Sequence, residues 1–448
     1  MEIQELFEEV IGLLEKCDYQ SLRSLLDEKE PYDLALLCEE LSDKTLPIVF
    51  RLMSRDTAAE CFSNMESDVQ EALLKRLSDS ELKAMLDELY IDDTVDLIEE
   101  MPANVATRIL ANSSAESREY INQILNYPKD SAGSIMTVEY VRLDKNMSVA
   151  DAFTRIRRVG TEKETIYTCY VTDSDRTLVG VVTAMDLMLS DTDTLISEIM
   201  ETNVISVTTD EDKESAVLKF SNYDFLALPV VDKGNRLVGI VTVDDAIDVA
   251  LEEATEDVEK MAAITPSDKP YLKVGVFETW RARIPWLMIL MLSATFTTAI
   301  ISSFESQLSA NAILVAFIPM LMGTAGNAGG QTSVTIIRAL SLEDITTGDI
   351  LRILWKEFRV SVLCGVSLGV VCLFKSVYID GTNWETAFVV SITLAIAVLV
   401  AKAVGCCFPL LIKKIGFDPA VVASPFITTV VDALALLLYF AVANAMIL

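Results

Sequence analysis

The chain has 448 residues, a formal net charge of −31 and no histidine, which excludes Ser-His-Asp and Cys-His catalysis and the usual nitrogen ligands of zinc, copper and nickel. Residues 1–270 hold 57 acidic and 25 basic residues, whereas residues 271–448 hold ten and eleven and are strongly apolar. The acidic portion disfavours nucleic acid as a partner and favours cations that prefer oxygen ligands, such as magnesium and calcium.

Residues 1–128 carry short amphipathic helical patterns separated by small breaks. Apolar residues recur at spacings of three and four, and Asp or Ser often stands where an N-cap is needed. We therefore predict an all-α N-terminal domain in which short helices stack into a superhelix. The predicted helices include residues 5–15, 32–41, 46–53, 57–65, 69–77, 79–89, 92–100 and 104–110.

Four acidic residues of this domain lie near the starts of predicted helices: Glu60, one turn after Thr57, and the cluster of Asp92, Asp93 and Asp96. Acidic side chains in a first turn usually stabilise the helix dipole, and we adopt this interpretation for Asp93. Asp92 and Asp96 are four residues apart and share one helix face, so they are also candidates to share a cation. From the residues alone, both interpretations of this pair stay open.

A βαβ pattern of alternating strands and helices, together with an internal repeat, begins near residue 130. Ile135-Met136 recurs as Ile199-Met200, and Gly180–Thr183 recurs as Gly239–Thr242, with about five extra residues near 158–165 in the first copy. The two copies, residues 129–190 and 191–252, resemble a CBS-domain pair. CBS pairs commonly dimerise and often bind adenine nucleotides, so the resemblance makes the last motif of each copy a candidate ribose contact. These candidate residues are Thr183, Asp186, Thr242 and Asp245.

An acidic linker, residues 253–276, follows the repeat. Its helical part has no wide apolar face and is too polar to be core. It is either a solvated spacer or a mechanical lever between the soluble part and the membrane, and its density of carboxylates favours the lever.

The apolar part, residues 277–448, contains five segments long enough to cross a bilayer. Lys and Arg fall before the first span, between the second and third, and before the fifth, whereas the alternate loops hold acidic residues. By the positive-inside rule, we expect the acidic domains in the cytosol and the C-terminus outside. The predicted spans are 284–304, 312–337, 360–379, 387–411 and 420–446.

Two spans hold polar residues that lipid would not favour. The second contains four glycines, including Gly326, around Asn327 and Gln331. This is a poor sequence for a regular helix, and it predicts close packing beside a pore. The fourth contains Lys402, which either extends its charge to the interface or pairs with a carboxylate.

The fifth span carries one carboxylate, Asp432, deep in an apolar run. A charge at such depth costs at least about 2.5–3.5 kcal/mol, so it should face protein or water. Ser424 and Thr428 lie eight and four residues earlier, on the same helical stripe. This stripe predicts the wall of a cation pathway; the alternative is a protonated carboxyl group bonded to a neighbouring helix.

The membrane motifs and the domain order resemble one family, the MgtE-type magnesium channels. The motifs are GTAGNAGGQ at 323–331 and FDPAVVASPFITTVVD at 417–432. The resemblance implies a homodimer with its pore between the two membrane domains, Asp432 as the pore carboxylate that holds a hydrated ion, and an intracellular gate that senses magnesium. It maps regulatory metal ligands onto Glu60, Asp92, Asp96, Glu214, Asp224, Asp245, Asp248 and, in the linker or plug helix, Glu253, Glu256 and Asp257.

We therefore expect a multidomain membrane protein with an all-α superhelical domain, an α+β CBS pair, an acidic plug helix and a five-helix transmembrane domain. Its expected function is Mg²⁺ influx across the plasma membrane, with Mg²⁺ also regulatory and ATP a candidate ligand of the CBS pair. No nucleophile–base pair, P-loop or metal–histidine motif is present in the sequence, so no enzyme is expected. The alternatives are a membrane-anchored nucleotide sensor without conduction and an ion-coupled transporter of divalent cations.

Overall fold

The computed structural model describes residues 2–267, 271–305, 312–422 and 424–446. It divides into two compact units, Met1–Ala250 and Leu251–Leu448. The first unit contains the helical domain and the CBS pair, and the second contains the end of the linker helix and the apolar helices.

Ten short helices form the N-terminal domain, as predicted. They are α1 Glu2–Glu15, α2 Tyr19–Asp27, α3 Pro31–Glu40, α4 Leu46–Phe50, α5 Arg55–Ser63, α6 Ser67–Leu74, α7 Asp79–Leu86, α8 Ile91–Glu100, α9 Ala103–Asn112 and α10 Ala115–Ile124. Serine N-caps begin several of them, and Ser78 with Glu81 forms a capping box at the start of α7. Their apolar faces meet in a continuous core that includes Leu22, Leu34 and Phe62, each fully buried.

The CBS pair contains two three-stranded sheets of the same topology, β1-β2-β3 and β4-β5-β6. In each sheet the first two strands are parallel and the last two are antiparallel. The fully buried Tyr170 packs with Ile240 in a cluster that joins the two copies. The elements are β1 Tyr140–Asp144, α11 Val149–Val159, β2 Thr165–Thr172, β3 Leu178–Thr183, α12 Ala184–Leu189, α13 Ile196–Ile199, β4 Val207–Thr208, α14 Lys213–Tyr223, β5 Ala227–Val231 and β6 Leu237–Thr242.

The helix after β6 is continuous. It is α15, Val243–Met261, so the end of the second CBS copy and the start of the linker belong to one helix. Only Ala246 and Val249 of this helix are buried, which agrees with the narrow apolar face seen in the sequence.

Among the described residues of the second unit, five helices are long and apolar enough to cross a membrane. Four of them are longer than the sequence predicted, because they continue into polar flanking residues, whereas the last begins at Ser424 rather than at residue 420. The helices, with the short α20 before the last, are α16 Val276–Ser303, α17 Ile313–Ser341, α18 Ile350–Tyr378, α19 Trp384–Ile415, α20 Pro419–Val422 and α21 Ser424–Met446.

The glycine-rich motif lies within regular helix, contrary to the expectation that it is a poor helical sequence. Helix α17 continues through all four glycines and Pro319. The reason is packing: a Cβ at Gly405 of α19 would collide with the carbonyl oxygen of Gly329, and a Cβ at Gly329 would lie 3.2 Å from the Ala401 carbonyl oxygen. Close contact between α17 and α19 therefore stabilises a helix that its own sequence disfavours.

Candidate ion pathway and acidic cluster

Asp432 of α21 lies against the glycine-rich motif of α17. A Cβ at Gly326 would lie 3.6 Å from the Asp432 Oδ1 and 3.0 Å from the Thr428 methyl group, so three predicted pathway residues meet here. Asp432 is half-buried, and its Oδ1 has no hydrogen-bond partner within the described part of the chain. The predicted Ser424 falls outside the described side chains.

A polar stripe runs along α17 beside this contact. Asn327 and Gln331 are exposed and four residues apart, and the exposed Thr335 continues the stripe by one more turn. Exposed amide groups on an otherwise apolar helix are costly against lipid, so this face is suited to water or to another protein surface.

Lys402 is buried and paired, which confirms one of the two interpretations drawn from the sequence. Its Nζ donates a hydrogen bond to Thr332 Oγ1 at 3.1 Å and lies 3.7 Å from Glu357 Oε2. These residues come from α19, α17 and α18, so one polar contact joins three apolar helices. Glu357 is not among the residues predicted from the sequence, because it precedes the predicted third span by three residues.

The first unit contains a second site, in which carboxylate oxygens from Asp92, Glu139 and Glu164 lie within 4.8 Å of one another. Helix α8 brings Asp92 in its first turn, where it is only 9% exposed. Glu139 precedes β1 and accepts a hydrogen bond from the Ile91 N–H at 3.0 Å. Glu164 precedes β2, and its Oε2 is buried without a hydrogen-bond partner among the described residues.

Burial and like charge dominate the electrostatics of this acidic cluster. Burial, with Asp245 and Glu164 adding repulsion, raises the pKa of Asp92 well above its usual value. Burial, together with Asp245, raises the pKa of Glu164 to about 8 and that of Asp93 to about 7. A divalent cation would relieve both the repulsion and the unsatisfied oxygen, and three carboxylates are a ligand set that suits Mg²⁺ or Ca²⁺.

Asp92 was the only member of the triad predicted from the sequence. Glu139 was missed because it stands alone beside a strand. The sequence does mark the position of Glu164, since this residue belongs to the five or so extra residues that distinguish the first CBS copy from the second. Asp245 adjoins the cluster, where it accepts a 2.6 Å hydrogen bond from the Thr242 hydroxyl and has its pKa raised to about 6 by burial.

The structure does not bring the other predicted cytosolic ligands into this triad. Glu60, Asp96 and Asp248 are exposed. Glu214 lies in the first turn of α14 and Asp224 caps its C-terminus, so about 15 Å of helix separates them. One ion within a single chain therefore cannot be shared by Glu214 and Asp224.

The linker residues lie on the last turns of α15. Lys260 pairs with Glu256 and with Asp418, at 2.8 Å in each case. Although burial opposes it, these two hydrogen bonds raise the pKa of Lys260. Asp257 accepts a 3.4 Å hydrogen bond from Ser341 at the end of α17, whereas the predicted Glu253 lies two turns before Lys260. The linker thus contacts the polar end of the helix that bears the glycine-rich motif.

The candidate nucleotide residues differ between the two copies. Thr183 and Asp186 are exposed and form the capping box of α12, with a 2.6 Å hydrogen bond between the hydroxyl and the carboxylate. Thr242 is buried, and its partner Asp245 faces the acidic cluster. An anionic phosphate is therefore better accommodated by the motif of the first copy.

The comparisons with known proteins cover the whole chain. Family models match the MgtE intracellular N domain at residues 29–130, CBS domains at 132–191 and 196–252, and the MgtE divalent cation transporter at 318–442. The magnesium transporter MgtE of Thermus thermophilus is 38% identical over 97% of both chains, and that of Bacillus subtilis is 34% identical over 100% of this chain and 98% of its own.

A solved structure agrees with the first unit. The cytosolic domain of the Mg²⁺ channel MgtE in complex with ATP is 36% identical, with a TM-score of 0.52 over 54% of this chain and 99% of that one. The predicted order of helical domain, CBS pair and apolar helices is confirmed. The full-length relatives are transporters rather than enzymes. By sequence, domain order and fold, the chain belongs to the MgtE family of divalent cation transporters.

Proposed function

We propose that two copies of this chain form a Mg²⁺ channel, which admits the ion down its electrochemical gradient and closes when intracellular Mg²⁺ binds the cytosolic part. The observation that carries this proposal is the Asp432 carboxylate, with an oxygen unsatisfied among the described residues and the side-chain-free Gly326 beside it. The full-length relatives named magnesium transporters support the choice of ion.

Mg²⁺ chemistry fits a carboxylate oxygen that has no hydrogen-bond partner among the described residues. The ion gives up its water reluctantly, so a passage for it needs room for a hydrated ion and a few oxygens rather than a tight cage. Asp432 and its counterpart in a second copy would focus negative potential on such a passage. At a membrane potential of about −100 mV, a divalent ion gains about 4.6 kcal/mol on entry, so influx requires no other energy source.

Two exposed surfaces support a homodimer. The polar stripe of Asn327 and Gln331 on α17 is unsuited to lipid, and a second copy would place it along a shared pore. In the CBS pair, α12 and α15 expose the large apolar side chains of Met185, Met188 and Ile247. Clustered apolar side chains of this size mark a contact surface, and a second CBS pair would cover them.

The acidic cluster supports gating by intracellular Mg²⁺. Asp92 belongs to the helical domain and Glu139 and Glu164 to the CBS pair, so an ion bound by all three would hold these domains together. Without the ion, their mutual repulsion favours separation. Mg²⁺ therefore shifts the population toward the joined state, which we assign to the closed channel. Lys260 and Asp257 link α15 to the membrane helices and would transmit this change.

ATP is a further proposed ligand. The related cytosolic domain was solved in complex with ATP, and the exposed Thr183–Asp186 motif is the better candidate for the ribose and phosphates. At this position ATP would regulate the channel rather than drive it.

An ion-coupled transporter has less support. It requires a second intramembrane cation site, and Glu357, the carboxylate available for one, is neutralised by Lys402. A nucleotide sensor without conduction would not need the carboxylate at Asp432.

Mg²⁺ flux into proteoliposomes tests the proposal, with Mn²⁺, Co²⁺ and Ca²⁺ in turn for selectivity. We expect Asp432→Ala to abolish flux while the protein stays folded and inserted. Asp380→Ala is the matched control, because Asp380 forms an ion pair with Lys375 outside the proposed pathway. Near-normal flux through the Asp432 variant would contradict the pore assignment.

A further inference from the structure

The buried ion pair of the membrane unit contacts α17, the helix that carries the polar stripe. Lys402 is 7% exposed, and its ammonium contacts Glu357 of α18 and Thr332 of α17. Thr332 directly follows Gln331 of the polar stripe, and Gly329, three residues earlier, packs against the Ala401 carbonyl of α19. The pair thus meets the proposed pore helix near its close contact with α19.

Stability is a poor explanation for this pair. Removing two charges from water costs more than their attraction commonly returns, and well-packed apolar residues often serve as well. Removing one partner alone is different, because it leaves a net charge in a low-dielectric region where Coulomb interactions extend further. A divalent ion passing along α17 would feel such a charge with twice the effect of a monovalent ion.

We propose that Lys402 and Glu357 are positioning residues for ion passage, which hold α17 through Thr332 and keep the surroundings of the pathway electrically neutral. The inference rests on the proposed channel function. It goes further in one respect: the affinity of the pathway for Mg²⁺ depends on the sum of these two charges, although neither side chain binds the transported ion.

Four variants of the full-length protein test this inference through the Mg²⁺ dependence of flux in proteoliposomes. Glu357→Gln leaves an extra positive charge and should raise the half-saturating Mg²⁺ concentration at least about tenfold. Lys402→Met leaves an extra negative charge and should lower it. The double variant is neutral and should return within about threefold of the original value. Lys375→Met, which breaks the exposed pair with Asp380, should change nothing.

A purely structural pair would behave differently: both single variants would shift the half-saturating concentration in the same direction, and the double variant would not recover. Either result overturns the inference. Thermal unfolding in detergent adds a readout independent of flux, because each single variant should be less stable than the double variant. If a single variant fails to fold, the double variant alone tests the inference. A folded double variant whose Mg²⁺ flux is reduced more than about tenfold overturns the inference. Absence of flux in the unaltered protein would instead refute the channel function itself.

Discussion

At the residue scale, the proposed pathway depends on a residue that has no side chain, Gly326. Asp432 is positioned by α21, and Gly326 of α17, which has no side chain, allows the Asp432 Oδ1 and the Thr428 methyl group to lie close to the α17 backbone. The sequence identified all three residues, because a carboxylate in an apolar run and glycines among polar residues are each unusual in a membrane helix. Their contact could not be predicted, since it depends on how two helices pack.

Gly326→Ala therefore tests this close approach without changing the carboxylate. The added methyl group would lie 3.6 Å from Asp432 Oδ1 and 3.0 Å from the Thr428 methyl group. We expect roughly tenfold lower Mg²⁺ flux, which corresponds to about 1.4 kcal/mol on the barrier. Gly323→Ala is the control on the same helix, because a Cβ there meets nothing within 4 Å. Equal Mg²⁺ flux in both variants would show that ion passage does not depend on the close approach of Gly326 to Asp432.

The acidic cluster predicts a pH dependence of stability in the absence of divalent cations. Because burial and Asp245 raise the pKa of Glu164 to about 8, the folded state binds a proton that the unfolded state releases near pH 4. The contribution of Glu164 to stability is therefore greatest below about pH 4 and falls as the pH rises toward 8. In chelator, we expect Glu164→Gln to flatten this fall and to raise the free energy of unfolding at pH 8 by about 1 kcal/mol. Thermal and urea unfolding of residues 1–267 would measure it.

Glu81 provides the opposite control for that experiment. Its hydrogen bond to Arg51 lowers the pKa of Glu81 to about 2, so its contribution is present above pH 4 and is lost only in acid. Glu81→Gln should therefore destabilise at pH 8 and leave the slope between pH 6 and 8 unchanged. A Glu164→Gln protein with the original slope would mean that other groups carry the pH dependence.

At the scale of elements, packing overrides the intrinsic preference of the glycine-rich helix. Four glycines within ten residues disfavour a helix, yet α17 is regular because Gly329 and Gly405 allow it to approach α19 closely. Helix existence and order in the N-terminal domain were predictable from local periodicity and caps. Glu139 and Glu164 were not, since the cluster forms only when α8 meets the loops before two strands.

Gly405→Ala should weaken this helix contact. Its Cβ would collide with the Gly329 carbonyl oxygen, and backbone cannot move aside as a side chain can. We expect a loss of about 1–3 kcal/mol, the usual cost of overpacking. Gly369→Ala is a graded comparison, because its Cβ would lie 3.3 Å from the Ser391 carbonyl oxygen. In detergent, Gly405→Ala should be less stable to unfolding than Gly369→Ala. The reverse order of stability would contradict the close contact between α17 and α19.

At the scale of the whole molecule, charge is divided unequally along the chain. Residues 1–270 hold 57 acidic and 25 basic residues, and the remainder is close to neutral. A segment with this charge repels itself and weakens its own compact state unless cations are present. Diffuse screening by any salt and specific binding by a divalent ion both relieve this repulsion, but only the second requires particular residues.

Mg²⁺ should stabilise residues 1–267 more than NaCl of equal ionic strength does. Binding to the folded state alone adds about 2.7 kcal/mol when the ion is at roughly 100 times its dissociation constant. Replacing Asp92, Glu139 and Glu164 with Asn or Gln should abolish the difference between the two salts, because their oxygens form the acidic cluster. Changing the exposed Asp175, Asp191 and Asp210 to Asn removes the same formal charge and should preserve the difference. If both triple variants lose it equally, Mg²⁺ acts by screening, and the cluster is not the sensor.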